Sequence, residues 1–166
     1  INVPHTELDY DKILEGLFKF SSRYRGFLAT ETMLVDGIND DINSINETAG
    51  LIEYIKPEIA YLSIPIRPPA IATAVPPKEN KINNVFQIFK EKGIQTEMLL
   101  GFEGTNTGFT GNAFEDILDI CAVHPIREDT MMELLKKNNA DIAVLNSLVQ
   151  GKYIKQVSYK NKNFYI

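Results

Sequence analysis

The sequence predicts an α/β fold in which helices alternate with the strands of a parallel sheet, followed by a smaller domain. Helical periodicity and short apolar runs alternate from residue 9 to residue 100 in the order α-β-α-β-α-β, which is typical of crossover connections. Two of the apolar runs end in polar or charged residues, at positions 36–41 and at positions 67–69. Ligands of α/β proteins bind at the carboxyl ends of parallel strands, so these two ends predict one binding site.

The first part of the alternation is predicted from helix signals and strand composition. Residues 9–24 have apolar side chains at helical spacing, and Asp9 is the predicted N-cap. Residues 27–35 are a predicted strand, because their apolar content is too continuous for a half-exposed sheet. The next helix is expected to begin with Asp40 as its N-cap and to end at Pro57.

Two further strands enclose a third helix. The strands are predicted at residues 59–66 and 94–100, and the helix at residues 78–92, after an extended loop bounded by prolines. A parallel sheet of only three strands leaves two long apolar edges open. We therefore expect further strands outside this sequence, or a partner that covers the edges, including a second copy of the chain.

The alternation ends at a glycine-rich segment, residues 101–113, which we interpret as a linker. Its glycine spacing matches neither the dinucleotide-binding pattern nor the P-loop pattern. Residues 114–166 then show three short helical patterns and a β-hairpin turned at residues 160–162, which together predict a small winged helix-turn-helix domain. The three helices are predicted at residues 114–123, 127–138 and 141–150.

The composition limits the classes of protein to which the chain can belong. The chain has 166 residues, of which 44% are hydrophobic and 23% charged, as in ordinary globular proteins. No apolar run approaches the roughly 20 residues of a membrane helix, so no membrane association is expected. The single cysteine fits a reducing, cytoplasmic location. The start at Ile1, with neither an initiator methionine nor a signal-peptide pattern, favours a fragment of a longer protein.

The cysteine also excludes one kind of chemistry from this chain. Cys121 lies in an apolar pattern of helical spacing, which favours a buried structural thiol over a nucleophile. One cysteine cannot hold an iron–sulfur cluster, because such clusters need three or four thiolates. No spacing of histidine, cysteine and acidic residues indicates a metal site.

Glu31 and Arg67 are the charged candidates for a binding site. Glu31 lies inside an apolar strand, and carboxylates are almost never fully buried unless they are paired. We therefore expect it to face a polar interior or a ligand, with an edge position or a pair with Arg67 as alternatives. Arg67 closes the second strand, where a guanidinium suits a carboxylate or phosphate.

Ser63 and Asn39 are the uncharged candidates. Ser63, Tyr61 and Arg67 lie on one side of the second strand by period-two spacing, so all three are expected to line one pocket. A satisfied core hydroxyl is the alternative for Ser63. Asn39 and Asp40 sit at a helix start, where capping accounts for one of them and leaves the other for a ligand.

The C-terminal tail is basic. Its lysines are expected on the wing, where they would contact a nucleic-acid backbone: Lys152, Lys155, Lys160 and Lys162. The presumed recognition helix, residues 141–150, has no arginine or lysine, so sequence-specific DNA reading is not expected. Domain packing and RNA-backbone binding remain as roles for this domain.

Three segments of the chain resemble the C-terminal half of a radical S-adenosylmethionine (SAM) protein. They are Pro4-His5 with Leu8-Asp9, then Glu31-Thr-Met-Leu-Val-Asp-Gly-Ile-Asn-Asp40, then Ile64-Pro-Ile-Arg-Pro-Pro-Ala70. The group that they resemble is the Fe–S oxidoreductases akin to the wyosine-base-forming tRNA enzyme. The tail is similar to the winged-helix extension that some of these proteins carry.

The resemblance implies a fragment of a partial (β/α) barrel. In that family a 4Fe–4S cluster, held by a Cys-x3-Cys-x2-Cys loop after the first strand, cleaves SAM to a 5′-deoxyadenosyl radical. The loop and the first strands are absent from this sequence, so the chain alone is expected to hold neither cofactor and to be inactive. By resemblance, Glu31 and Asn39 from one strand end, and Ser63 and Arg67 from the next, would face SAM or substrate.

The same resemblance implies one partner. The missing N-terminal half of the barrel, with its cluster loop, would cover the open sheet. RNA is a further candidate partner, through the basic tail, and dimerisation through the exposed sheet edges is the alternative to the missing half.

Overall fold

The structure, a computed structural model, describes residues 5–101, 105 and 107–166. It divides into two compact units, residues 1–101 and residues 102–166. Each unit has its own cluster of buried apolar side chains. Expectations for residues 1–4, and for residues 102–104 and 106 of the predicted linker, lie outside the described residues.

Helices and parallel strands alternate in the first unit, as the sequence predicts. The strands β1, β2 and β3 form one sheet in that order, and both pairs are parallel. Each strand is shorter than its predicted apolar run. The elements are α1 (Tyr10–Arg23), β1 (Ala29–Met33), α2 (Ile42–Ile55), β2 (Ile59–Ser63), α3 (Glu79–Glu91) and β3 (Thr96–Leu99).

The helix starts confirm one predicted cap and correct the other. The Asp9 carboxylate accepts hydrogen bonds from the backbone N–H groups of Asp11 and Lys12, as expected for an N-cap. The prediction that Asp40 caps α2 is wrong, because the cap is Asp41, which accepts the N–H groups at the second and third helical positions. Asp40 is unavailable for capping because its carboxylate is bonded to Lys81 and to the N–H of Gly37.

Both α2 and α3 pack on one face of the sheet. Ala60 and Leu62 of β2 belong to the same buried cluster as the inward-facing residues of these two helices. Residues paired across parallel strands project from the same face, so the register assigns the remaining side chains to the opposite face. We call it the bare face, and its residues are Ala29, Glu31, Met33, Ile59, Tyr61, Ser63, Glu97 and Leu99.

No described helix covers the bare face. Along β1 its side chains are exposed, and Met33 retains 51% of its accessible surface. Leu99 of β3 is exposed as well. Ile59 and Ser63 are buried, because β2 is the central strand and has a neighbour on each side. The sheet is therefore a wall with helices on one side only.

Helix α1 has an apolar stripe that the described residues leave exposed. No residue of α1 is buried. Ile13, Leu17 and Phe20 recur at helical spacing, and each is more than a third exposed. The ring of Phe18 contacts Tyr54 of α2 at a centroid distance of 4.4 Å. An amphipathic helix with an exposed stripe normally packs against something further.

The second unit contains three helices and a small antiparallel sheet. The strand order is β4-β6-β5, and β5 and β6 form a hairpin turned at Lys160 and Asn161, which have positive φ angles of 49° and 59°. The sequence does not predict the two-residue strand β4. The elements are α4 (Ala113–Val123), β4 (Ile126–Arg127), α5 (Glu128–Lys137), α6 (Ile142–Gln150), β5 (Gln156–Tyr159) and β6 (Lys162–Tyr165).

The start of α4 is held by a buried carboxylate. Asp116 accepts hydrogen bonds from the backbone N–H of Thr110 at 2.9 Å and from its hydroxyl at 2.7 Å. The hydrogen bonds from Thr110 lower the pKa of Asp116, so the carboxylate stays ionised despite its burial.

In the described part of the chain, no helix combines the length and the apolar character that spanning a bilayer needs.

Candidate functional site

The loop after β1 is held by the side chain of Asn39. Its Oδ1 accepts the N–H of Val35 at 2.8 Å, and its Nδ2 donates to the carbonyl of Met33 at 2.9 Å. Gly37 in the same loop has a φ of +68°, a conformation that favours glycine. Asn39 therefore fixes the path of the loop at the carboxyl end of the sheet.

Lys81 links the loop after β1 to helix α3, in which it lies. Its Nζ donates to the carboxylates of Asp36, at 3.3 Å, and Asp40. The side chain of Asp40 is only 3% exposed. The hydrogen bond from Lys81 lowers the pKa of Asp40, and the bond from Asp40 raises the pKa of Lys81. The sequence gives no signal for this pair, because opposite charges 41 positions apart have no local pattern.

The structure places Glu31 and Ser63 on the bare face. Glu31 is exposed in the middle of β1, and no ion pair joins it to Arg67 among the described residues. Ser63 ends β2 and is 5% exposed. Its Oγ has no hydrogen-bond partner among the described residues, so the alternative of a satisfied core hydroxyl does not describe it.

The four predicted site residues therefore fall into two groups. Glu31 and Ser63 project from the bare face, while Asn39 and Arg67 lie in the segments that follow β1 and β2. The two bonds of Asn39 go to its own loop, which gives this residue a positioning role. Ligand contact by any of the four stays a prediction.

Sequence reasoning missed a fifth residue, Glu97 of β3. Tyr61 is paired with Glu31 on one side and with Glu97 on the other, so two carboxylates flank one phenol on the bare face. Both glutamates are exposed. Ile94 is the core residue just before β3. Since side chains alternate along a strand, Glu97, three residues later, is expected to face away from the helices.

Cys121 has the environment of a structural thiol. It is half-buried, and its Sγ lies 3.6 Å from the carbonyl oxygen of Tyr165. Burial raises the pKa of this thiol to about 11, so the thiolate is scarce at neutral pH. Among residues 5–101, 105 and 107–166, no three histidine, cysteine or acidic side chains are grouped so that they could hold a metal ion.

Comparison of sequences gives relatives that match all or part of this chain. No family model matches the chain. A UPF0026 protein of Methanocaldococcus jannaschii is 43% identical over 169 residues, which cover 100% of this chain and 52% of that protein. A UPF0026 protein of Helicobacter pylori is 35% identical over 68 residues, or 41% of this chain and 22% of that protein. The chain thus spans about half the length of the Methanocaldococcus relative.

Comparison of structures gives two partial likenesses. A radical SAM methyltransferase from Sphaerobacter thermophilus matches 57% of this chain and 27% of its own, with a TM-score of 0.46 and 20% identity. A domain of pyruvate-formate lyase-activating enzyme from Bacteroides vulgatus matches 56% of this chain and 55% of its own, with a TM-score of 0.42 and 18% identity. Both TM-scores are too low to establish a common fold.

Replacing Lys81 by Met should make the stability of the first unit less dependent on pH. The pKa of Asp40 is lowered, so its bond to Lys81 stabilises the fold above the ordinary Asp value of 3.8 and is lost as pH falls below it. In urea unfolding, the wild type should exceed Lys81→Met in free energy of unfolding at pH 7, and the difference should be smaller near pH 2. Lys90→Met, at an exposed position of α3, is the matched control. A difference that is the same at both pH values would contradict this role of the pair.

Proposed function

We propose that the chain is the C-terminal part of a radical SAM protein, whose cluster-bearing half lies in a longer chain. The observation that carries the proposal is the one-sided sheet. Parallel strands with helices on one face, a bare opposite face and two unpaired edges among the described residues form a segment of a (β/α) barrel wall. The segments at the ends of β1 and β2 resemble that family in the same order.

The cofactors divide between the two halves in this proposal. One cysteine does not fit a 4Fe–4S cluster, so the cluster and the cleavage of SAM belong to the other half. The residues of this chain supply side chains to the shared cavity. Glu31 and the unpartnered hydroxyl of Ser63 face it from the wall, and Asn39 and Arg67 border its mouth, toward SAM or substrate.

The exposed apolar surfaces fit the same proposal. The stripe of α1 and the free edge of β1 adjoin in sequence, and a preceding β/α unit would cover both. The Methanocaldococcus relative has about as much sequence outside the match as within it. Pairing of two copies through β1 is the competing arrangement, and it would appear as a dimer of the 166-residue chain in sedimentation.

The product of the complete open reading frame should cleave SAM reductively, and the 166-residue chain should not. The assay is 5′-deoxyadenosine formation after anaerobic reconstitution with iron, sulfide and dithionite. Cluster absorbance reports loading, and the 166-residue chain under the same conditions is the control. A loaded protein that forms no 5′-deoxyadenosine, or a complete reading frame without a three-cysteine loop, would refute the proposal.

A second candidate function is RNA binding by the second unit. Its order of elements and its sheet order β4-β6-β5 support a winged helix, with the β5–β6 hairpin as the wing. The tail lysines at positions 152, 155, 160 and 162 are exposed, and Lys160 lies 5.6 Å from the ring centroid of Tyr159. The prediction that Lys152 lies on the wing is wrong, because its N–H closes the turn after α6 on the carbonyl of Val149. Helix α6 has no basic residue, so this candidate concerns the RNA backbone rather than its sequence.

Reversing two wing charges should weaken RNA binding without changing sequence preference. In the whole chain, Lys155→Glu with Lys162→Glu should lower the affinity for a single-stranded RNA and flatten its dependence on salt, because fewer counterions are released. Fluorescence anisotropy at several salt concentrations measures both effects, and Lys90→Glu in the first unit is the control. Equal salt slopes for all three proteins would exclude the wing from RNA binding.

A further inference from the structure

The bare face carries a row of three polar side chains from three different strands. Glu31 of β1, Tyr61 of β2 and Glu97 of β3 are paired in register and project from the same side of the sheet. Neighbouring strands are about 4.8 Å apart, so the two glutamates flank the phenol at about 10 Å from each other. At that separation both carboxylates can reach one group held over the ring.

The sheet has no positively charged side chain that could balance the two glutamates of this row. The three strands contain no lysine or arginine, and neither glutamate forms an ion pair or hydrogen bond among the described residues. Carboxylates that face an enclosed cavity need a positive partner, because an unpaired charge is costly to bury. A hydroxyl group would leave this charge uncompensated, whereas a cation between two carboxylates and an aromatic ring neutralises it.

The buried hydroxyl of Ser63 is an independent observation that indicates a ligand beside this row. It follows Tyr61 by two residues on the same face, its side chain is about 95% buried, and its Oγ has no hydrogen-bond partner among the described residues. A buried hydroxyl without a partner costs free energy, and such groups normally find one in the complete molecule. The spacing along β2 places this hydroxyl about 7 Å from the row.

We propose that Glu31, Tyr61 and Glu97 bind an organic cation, a primary ammonium or guanidinium, on the substrate of the assembled protein. Ser63 hydrogen-bonds a polar atom of the same molecule, about 7 Å from the cationic group. The substrate class is therefore a cationic molecule with a second polar group, held against the wall of the cavity. This assignment rests on the proposed radical SAM function, since that function is what encloses the bare face.

The test uses the product of the complete open reading frame and three small probes that differ in one group. The probe 5-aminopentan-1-ol has both the ammonium and the hydroxyl, pentylamine lacks the hydroxyl, and pentane-1,5-diol lacks the charge. Ligand-observed NMR titration gives the affinity of each probe. Glu31→Gln and Glu97→Gln remove one charge each, and Glu47→Gln, at an exposed position of α2, is the matched control.

The wild type should bind 5-aminopentan-1-ol more tightly than pentylamine, and pentane-1,5-diol least. Glu31→Gln and Glu97→Gln should each lower the affinity for both amines by about tenfold or more, while Glu47→Gln leaves it unchanged. Ser63→Ala should remove only the advantage of the hydroxyl. Glu47→Gln should keep the wild-type unfolding temperature, because its side chain is exposed on α2. Glu31→Gln and Glu97→Gln should not lower the unfolding temperature, because each removes an uncompensated charge from the enclosed face.

Three results would overturn the inference: no amine binds the wild type, the diol binds as well as the amino alcohol, or the Glu31 and Glu97 variants bind like the Glu47 variant. The first, together with a lowered unfolding temperature in Glu31→Gln, would show that a lysine or arginine of the same protein neutralises the row. Failure of the radical SAM function is separate, because it appears as absent SAM cleavage whatever the amine affinities are.

Discussion

The one-sided covering of the parallel sheet is the constraint on which the rest of the structure depends. Ala60 and Leu62 bury their side chains against α2 and α3, so every alternate residue of the same strand must project away from the helices. Those alternate positions include Tyr61 and Ser63, and their register partners include both glutamates. The hydrophobic packing of one face thereby decides which polar groups gather on the other.

The carboxyl end of the sheet is ordered by polar contacts in addition to the burial of Leu34 and Val35. Asn39 closes the loop after β1 onto its own backbone, and Lys81 ties that loop to the start of α3. These contacts hold the loop beside the end of β2, where Leu34 donates its N–H to the carbonyl of Ser63. Contacts of this kind position side chains without requiring a ligand to order them.

The sequence predicts most of the fold because its signals are local. Asp9 precedes a helical apolar pattern, and the structure has it as the N-cap of α1. The choice between Asp40 and Asp41 is different, because two adjacent aspartates satisfy the same capping pattern. It is decided by Lys81, which lies 41 positions from Asp40 and leaves no trace in the local sequence. Strand β4 was missed for the same reason, since two residues become a strand only by pairing with β6.

The candidate site was predictable only in part. An acid within an apolar run drew attention to Glu31, and period-two spacing joined Ser63 to Tyr61. Glu97 was not predicted as a site residue, because its role depends on being paired with Tyr61. That pairing depends on the register of β3 against β2, which the sequence does not show. Which ligand these groups meet depends on atoms outside the described chain, and no pattern within these strands specifies it.

Hydrogen–deuterium exchange on the backbone of β1 tests most directly whether this chain is a segment of a larger wall. The comparison is between the 166-residue chain and the product of the complete open reading frame. If a further strand pairs with the free edge, the alternate amides of Ala29–Met33 that point away from β2 should exchange at least about tenfold more slowly in the longer protein, together with those of α1. Equal exchange rates in the two proteins would show that this edge stays unpaired, and would contradict the account.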